Sequence, residues 1–313
     1  MPQPQRKPTI ATLRWDRDGR DWPNREHSRF VDAAGVCWHV QVWGSGPVLL
    51  LLHGAGAASH SWRQLAPELA RSFQVVTVDL PGHGFSSRGP ARNLTLPGVA
   101  EGLAALMSAL QLEPAVIVGH SAGAALACHL RLSGLLASRS LVSLNGAHLP
   151  LRGVAGWIYG PIAGLIADNR TLPRLFAWRA ARRSVVADVL AKTGSVIDTA
   201  GFEYYWRLAR SPAHVSAALG LMAGWDVRPL QRQLPELDVP ILLVTGSGDR
   251  TVPPVDSQQV ARLVSDAEYL SQAGLGHLAH EEQPIATAAL IRDWLARRLP
   301  AADRAAAQAL TSV

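Results

Sequence analysis

The sequence predicts an α/β fold: a mostly parallel sheet flanked by helices, with a helical segment inserted into it. Short apolar runs that end in glycine-containing turns alternate with stretches of helical spacing. Continuous apolar runs are typical of strands in parallel sheets, where helical crossovers cover both faces. Between about residues 149 and 234 we find only helical patterns, after which the alternation resumes. This interruption predicts helices inserted between two strands of one sheet.

The composition excludes several classes of protein. The chain has 313 residues, 48% of them hydrophobic and 17% charged, which suits one large α/β domain or two ordinary ones. The net charge of +6 comes mostly from scattered arginines, so we expect no nucleic acid partner. No apolar run is long enough to span a membrane, and the first residues do not resemble a secretory signal. Cys37 and Cys128 are too few for a disulfide framework. We expect a cytoplasmic protein, with attachment to a membrane surface left open.

The first part of the core follows a polar segment, residues 1 to about 26, that we expect to be irregular. Apolar and polar residues alternate over Phe30–Trp43, which predicts one or two strands, and a turn follows at Gly44–Pro47. Val48–Leu52 is a solid apolar run and predicts a central strand buried on both faces. Further along the chain we expect helices at Arg63–Ala70 and Leu96–Leu110, and strands at Phe73–Leu80, Ala115–Val118 and Ser140–Leu144.

The second part contains the helical block and the return of the strands. Aromatic and arginine-rich helical stretches are expected at Trp157–Ala167, Leu172–Ala181, Ser184–Leu190, Gly201–Arg210 and His214–Ala223. Strands follow at Pro240–Thr245 and Ala267–Leu270, with helices at Ser257–Leu263 and Pro284–Arg298. We therefore divide the chain into an N-terminal extension (1–29), a core (30–148 and 235–299), a helical lid (149–234) and a flexible tail (300–313). Such a lid would exclude water and shape the substrate pocket.

The pentapeptide from Gly119 to Gly123 carries the strongest functional signal. An apolar strand precedes it and a small-residue helical pattern follows it, as a nucleophile elbow requires. Ser121 would then occupy a strained turn that exposes its hydroxyl above the sheet. Both glycines are needed because a Cβ would collide where strand and helix pack closely. The N–H of Ala122 would lie at a helix N-terminus, where the dipole favours an oxyanion.

Two later turns supply the base and the acid that Ser121 would need to act as a nucleophile. Asp249 and His277 each follow a late strand, and both lie in glycine-rich loops. The carboxyl ends of parallel strands share one edge of a sheet, so the sequence predicts a Ser121–His277–Asp249 triad. Asp256 and Asp266 are alternative acids, but each lies in or after the helix that follows Asp249.

One other histidine competes for the role of the base. His280 lies close to His277, but His280-Glu281-Glu282 resembles the approach to a helix. His277, His280 and Glu281 could also be considered as metal ligands, although they lack a helical His-Glu-x-x-His arrangement. We therefore predict His277 as the base, no metal site and no cofactor.

The oxyanion hole needs a second N–H donor besides that of Ala122. The loop after the central strand, residues 53–56, contains two glycines and can approach a substrate closely. We predict the N–H of Ala55 as this donor, with that of Gly56 next. His53 is expected to brace the loop. The predicted substrate contacts are Gly54, Gly56 and His120, the last with packing as its alternative role, together with Trp157 and Trp178 of the lid.

These motifs resemble those of the α/β-hydrolase superfamily. The resemblance rests on Leu-Leu-His-Gly, Asp-Leu-Pro-Gly-His-Gly, Gly-His-Ser-Ala-Gly, Gly-Asp-Arg and Gly-His-Leu-Ala-His-Glu-Glu, and it covers about residues 33–147 and 236–299. It implies the α/β-hydrolase fold with an inserted lid. It also implies a serine hydrolase that acts on an ester, a thioester or a similar carbonyl.

A narrower resemblance extends over nearly the whole chain. Asp18–Glu26, Val142–Ala147, Leu175–Ala180 and Gly224–Leu230 resemble the magnesium-chelatase accessory proteins of bacteriochlorophyll biosynthesis. This resemblance implies a role in photosynthesis, around magnesium insertion into protoporphyrin IX. It also implies a tetrapyrrole as the small-molecule substrate and magnesium chelatase as a partner.

Two other functions remain open. The chain could bind a tetrapyrrole or dock on chelatase without catalysis, or it could be a general carboxylesterase or perhydrolase unrelated to pigments. In the first case tryptophans would face the planar ring, although helix packing is their more common role, and arginines would pair with its propionates. The candidates are Trp62, Trp157, Trp178, Trp206 and Trp225, and Arg170, Arg174, Arg179 and Arg182.

Overall fold

An eight-stranded sheet forms the centre of the protein in a computed structural model that describes residues 13–150 and 171–299. The strand order is β1-β2-β4-β3-β5-β6-β7-β8, and all neighbours from β4 to β8 are parallel, whereas β2 is antiparallel to β1 and β4. This confirms the predicted fold class. The strands are β1 (Ser28–Ala33), β2 (Val36–Trp43), β3 (Val48–Leu52), β4 (Gln74–Val78), β5 (Pro114–His120), β6 (Ser140–Leu144), β7 (Ile241–Gly246) and β8 (Ala267–Gln272).

The helices of the described residues cover both faces of this sheet. They are α1 (Trp15–Asp18), α2 (Leu65–Leu69), α3 (Leu96–Leu110), α4 (Ala122–Leu132), α5 (Leu172–Ala180), α6 (Arg183–Lys192), α7 (Thr199–Ala209), α8 (Pro212–Gly224), α9 (Arg228–Gln233), α10 (Pro254–Leu263), α11 (Ala279–Glu282) and α12 (Pro284–Arg298). The predicted bounds of α3, α12, β3 and β6 match the structure, and the other predicted elements within the described residues differ by a few residues. The sequence patterns missed the short helices α1, α9 and α11.

The early alternating segment is a hairpin of two strands. Its two-residue turn consists of Ala34 and Gly35, with φ values of 49° and 74°. Positive φ at both positions is typical of the turn whose twist matches that of two antiparallel strands.

The core lies on both faces of the sheet. Side chains of β3 alternate between them: Leu50 and Leu52 pack with α3 and α4, while Leu49 and Leu51 pack with α2 and α12. All four leucines are fully buried, which confirms that this apolar run is a central strand covered on both faces. Cys128 is buried in the first of these layers, and neither cysteine forms a disulfide.

The described helices α5 to α9 lie between β6 and β7, and we refer to residues 171–233 as the helical insertion. The predicted helix Trp157–Ala167 lies outside the described residues. The division into extension, core, lid and tail remains our proposal for the domain organisation. None of the helices in the described parts of the chain is both long and apolar enough to span a membrane.

The segment before β1 is more ordered than we expected. Its helix α1 is one turn long, and Trp22 is buried and donates its indole N–H to the Ser59 hydroxyl (3.0 Å). Arg207 of the insertion forms an ion pair with Asp21 (2.7 Å). The prediction of an irregular segment was therefore wrong at α1, because contacts with distant residues stabilise a polar stretch that has no periodicity of its own.

Candidate active site

Ser121 lies in a sharp turn between β5 and α4. Its φ of 53° and ψ of −117° are strained for a residue with a side chain. The flanking glycines allow the turn: a Cβ on Gly119 would overlap the carbonyl of Gly123, and a Cβ on Gly123 would overlap that of Leu52. The collisions expected for a nucleophile elbow are therefore present in the geometry.

His277 and Asp249 form a hydrogen-bonded pair in the loops after β8 and β7. The distance from Nδ1 of His277 to Oδ2 of Asp249 is 2.8 Å, and both side chains are nearly fully buried. The other carboxylate oxygen accepts the N–H groups of Thr251 (2.8 Å) and Val252 (2.9 Å). Burial raises the pKa of Asp249, but the His277 and Val252 hydrogen bonds outweigh burial and hold this pKa below its ordinary value. Asp249 is thus an ionised acceptor that fixes the proton of His277 on Nδ1.

Asn145 is a site residue to which sequence analysis assigned no role. It follows β6 in a left-handed conformation (φ 49°), and its amide donates to Oδ2 of Asp249 (2.8 Å) and to the carbonyl of Gly276 (3.2 Å). It therefore bridges the acid and the loop that carries the base. Its position directly after a parallel strand, at the edge that carries the triad, was the available signal.

The residues considered as an alternative base or acid lie in other environments. His280 is buried and contacts the Ser61 hydroxyl (2.9 Å) rather than Asp249. Asp266 pairs with Arg298 near the surface (2.9 Å), and Asp256 lies in the first turn of α10. Over residues 13–150 and 171–299, no group of three or more His, Cys, Asp or Glu side chains could hold a metal ion.

The peptide that joins Gly54 to Ala55 is held through its carbonyl oxygen. This oxygen accepts hydrogen bonds from Nδ1 of His53 (2.8 Å) and from the N–H of Ala57 (3.2 Å). Nε2 of His53 accepts the N–H of Leu80 (3.0 Å), so its ring proton is on Nδ1. Because C=O and N–H of a trans peptide point in opposite directions, these bonds orient the N–H of Ala55. His53 thus braces the loop, as predicted.

The N–H groups of Ala55 and Ala122 are the predicted oxyanion donors. In the part of the chain that the structure describes, neither group has a hydrogen-bond acceptor. The loop also touches the elbow, since a Cβ on Gly54 would lie 2.9 Å from the Cβ of Ser121. Two unpaired donors close to the elbow fit an oxyanion hole, and this role remains a prediction.

His214 of α8 connects the insertion to two core loops. Nδ1 accepts the N–H of Gly84 (3.2 Å), so Nε2 carries the proton and donates to the carbonyl of Gly56 (3.1 Å). Burial lowers the pKa of His214 to about 4, which keeps the ring neutral at pH 7, as this bonding pattern requires. Sequence analysis missed this contact because the residues involved are far apart in the chain.

His120 is buried beside the base. Its Nε2 donates to the main-chain carbonyl of His277 (2.9 Å), and the two ring centroids are 4.8 Å apart. Burial and the neighbouring His277 lower the pKa of His120 to about 3, so its ring is neutral. These contacts favour a packing role, and substrate contact by His120 stays a prediction.

The loop between α6 and α7 contacts both triad loops, and we call residues 193–196 the clasp. The carbonyl of Thr193 accepts the N–H groups of His277 and of Arg250, each at 3.2 Å. The Ser195 hydroxyl accepts the N–H of Leu278 (2.8 Å). The insertion therefore binds the main chain of His277, Leu278 and Arg250, next to the predicted base and acid.

Two glycines, Gly194 and Gly276, allow the clasp to approach this closely. Gly194 has a φ of 81°, and a Cβ there would overlap the carbonyl oxygen of Gly248. A Cβ on Gly276 would in turn overlap the main chain of Gly194. Main-chain atoms thus touch where the acid loop, the base loop and the insertion meet.

A buried charged network lies beside the clasp. The carboxylate of Glu281 accepts from Arg63 (2.5 Å), Tyr205 (2.6 Å) and Ser61 (2.7 Å). Arg63 also pairs with Asp198 (2.7 Å), and both Asp198 and Tyr205 belong to the insertion. Burial raises the pKa of Glu281 despite these donors. Asp198 and Tyr205 thus join the insertion to a core ion pair, Arg63–Glu281, that has little access to solvent.

The tryptophans have different environments. Trp62 is fully buried in the core, and Trp206 and Trp225 are half-buried. Trp178 is 47% exposed, whereas Trp157 lies outside the described residues. Arg174, Arg179 and Arg182 are exposed, and Arg170 also lies outside the described residues. A pocket for a planar ring remains a prediction.

Known proteins share this architecture. The sequence profile described as "alpha/beta hydrolase fold" matches residues 47–284. The chain belongs to the α/β-hydrolase family. This α/β-hydrolase is 40% identical to the "Magnesium-chelatase 30 kDa subunit" of Rhodobacter capsulatus over 279 residues, covering 88% of this chain and 96% of that protein.

One further relative and one protein of similar fold are named as esterases. The pimeloyl-[acyl-carrier protein] methyl ester esterase of Xanthomonas oryzae is 32% identical over 250 residues, covering 78% of this chain and 94% of its own. A thermophilic esterase structure from Thermogutta terrifontis has a TM-score of 0.67 at 24% identity, covering 86% of this chain and 98% of its own. At that identity, the structural likeness concerns the fold.

Proposed function

We propose that this α/β-hydrolase is a serine hydrolase that cleaves an ester or acyl bond of a tetrapyrrole, in the pathway that magnesium chelatase serves. The observation that carries the proposal is the His277–Asp249 hydrogen bond next to the strained turn of Ser121. The name of the Rhodobacter relative supports the pathway, and the name of the Xanthomonas relative supports ester chemistry. Ser121, Asp249 and His277, each in the turn or loop that follows a strand of the parallel sheet, support hydrolysis over simple binding.

In the proposed mechanism, Oγ of Ser121 attacks the substrate carbonyl while its proton passes to Nε2 of His277. Asp249 stays ionised and stabilises the imidazolium. The N–H groups of Ala55 and Ala122 bind the oxyanion of the tetrahedral intermediate. Collapse expels the alcohol, which takes the proton from His277, and leaves an acyl-serine. Water then attacks the acyl carbonyl while His277 takes its proton. The second tetrahedral intermediate breaks its bond to Oγ of Ser121, which regains the proton from His277, and the acid is released.

A fluorophosphonate probe tests whether Ser121 is an activated nucleophile. We expect the wild-type protein to be labelled and Ser121→Ala to be unlabelled, with Ser133→Ala as a control because Ser133 is an exposed serine at the end of α4. Equal labelling of the Ser121→Ala variant would contradict the proposed nucleophile.

A non-catalytic role in magnesium insertion is the second candidate, and the name of the Rhodobacter relative favours it. Reconstituted chelatase, assayed with the wild-type protein, with Ser121→Ala or with neither, separates the two. Stimulation by the wild-type protein alone supports hydrolysis in the pathway. Equal stimulation by both supports binding or docking on chelatase. In a separate esterase assay, activity restricted to small acyl esters would support a general esterase instead.

A further inference from the structure

Helix α5 exposes apolar and cationic side chains on one surface. Leu175, Phe176 and Trp178 are 50%, 43% and 47% exposed, and Arg174 and Arg179 are exposed beside them. With Arg182, which follows the helix, these residues form what we call the α5 surface. The opposite side of the helix is buried through Pro173 and Ala177, and α5 packs on α8.

The charge of this surface has one sign. Residues 171–187 contain the arginines at 174, 179, 182 and 183 and no Asp, Glu or Lys. Arg183 pairs with Glu203. Among the described residues, no carboxylate forms an ion pair with Arg174, Arg179 or Arg182. By contrast, Arg131 and Arg207 elsewhere on the surface each have an aspartate partner.

We propose that the α5 surface docks the protein on a membrane that contains anionic phospholipids. Exposed Leu, Phe and Trp side chains can insert into the boundary between headgroups and acyl chains, and burial of their apolar area stabilises binding. Arginine stems can lie along the same boundary while their guanidinium groups reach the lipid phosphates. The positive charge, with which no carboxylate of the described residues pairs, selects an anionic surface as the occupant. This inference does not depend on the proposed hydrolase activity.

Cosedimentation with vesicles tests this docking without any substrate. We expect wild-type protein to bind vesicles with about one-third phosphatidylserine, to bind pure phosphatidylcholine far more weakly, and to dissociate at high salt. Replacing Arg174, Arg179 and Arg182 together by Gln should weaken binding about 100-fold, at about fivefold for each charge. Trp178→Ser should weaken binding about tenfold or more through lost apolar burial.

Two variants serve as matched controls. Ile285→Ser removes an apolar side chain that is 68% exposed on α12, and Arg131→Gln removes a cation outside the α5 surface. Both should bind vesicles as the wild-type protein does, and the thermal midpoints of all variants verify that each is folded. Absence of binding to anionic vesicles, equal binding to neutral vesicles, or equal weakening by the control variants would each overturn the proposal.

Discussion

Two regions of the same helical insertion differ in how they are held. The clasp and α7 meet the core through main-chain hydrogen bonds, through glycines in contact and through the bonds of Asp198 and Tyr205 to a buried core ion pair. The α5 surface presents three exposed apolar side chains and arginines without carboxylate partners in the described chain. One region is bound to the triad loops, and the other is available to an external surface.

This difference limits which part of the helical insertion could move as a lid over the site. Opening the insertion at the clasp would break the bonds to the main chain of His277 and Arg250 and would expose a buried ion pair. Such an opening would disturb His277, the proposed base. We therefore infer that the clasp stays closed during turnover, so that any movement for substrate access occurs elsewhere in the insertion.

The largest effect is expected from Gly194→Ala. The new Cβ would overlap a main-chain oxygen, and the positive φ adds strain, so we expect a loss of at least about 4 kcal/mol in the free energy of unfolding. Fluorophosphonate labelling of Ser121 in this variant should fall as well. Gly134→Ala is the matched control, because Gly134 has a φ of 67° but nothing within 4 Å of a Cβ. Similar losses in both variants, measured by denaturant unfolding, would argue against the clasp.

Arg63→Met should have the next largest effect. It leaves the carboxylate of Glu281 buried without its cation, which typically destabilises a protein by about 3–5 kcal/mol. Arg131→Met, which breaks the more exposed pair with Asp238, should have little effect on denaturant unfolding. If the two variants were equally stable, the buried network would not hold the insertion.

Mild acid should lower the free energy of unfolding, because histidines buried near the insertion would have to bind protons. Burial lowers the pKa values of His60, His214 and His280, so below about pH 6.5 the unfolded chain binds protons that the folded chain does not. Stability is therefore greatest above pH 6.5 and falls towards pH 4. With a folded pKa of about 4, His214 alone should account for about 2 kcal/mol between pH 7 and pH 5.

Denaturant midpoints of wild type and His214→Asn at the two pH values test this. The variant retains an acceptor for the N–H of Gly84 but removes one titrating ring, so its pH dependence should be shallower. An identical change of the midpoint with pH in both proteins would contradict the assignment of His214 as a neutral buried histidine.

The smallest effect on stability is expected at the α5 surface. Leu175→Ser and Trp178→Ser replace half-exposed side chains, so each should change the free energy of unfolding by no more than about 0.5 kcal/mol. A loss above about 2 kcal/mol would show that the α5 surface is structural and would remove the contrast with the clasp.

Much of the fold could be predicted because its causes are local. The solid apolar run of β3 and the spacing of α3 each determine an element within a few residues of sequence. The turn at Ser121 was predictable for the same reason, since its glycines are adjacent to it. Helix α1 was not, because its Trp15 packs on Phe85 and the carbonyl of Asp18 accepts a hydrogen bond from Arg207, both far along the chain.

The sequence by itself determined the order of the candidate catalytic residues along the chain: a serine at an elbow, then an acid and a base at the ends of later strands. Only the tertiary structure decided that His277 rather than His280 bonds to Asp249, and that Asn145 joins the acid to the base loop. It also revealed the clasp and the bond from Tyr205 to Glu281, which joins residues 76 positions apart. The physical reason is that such contacts depend on how crossovers bring distant loops to one sheet edge, which no local pattern encodes.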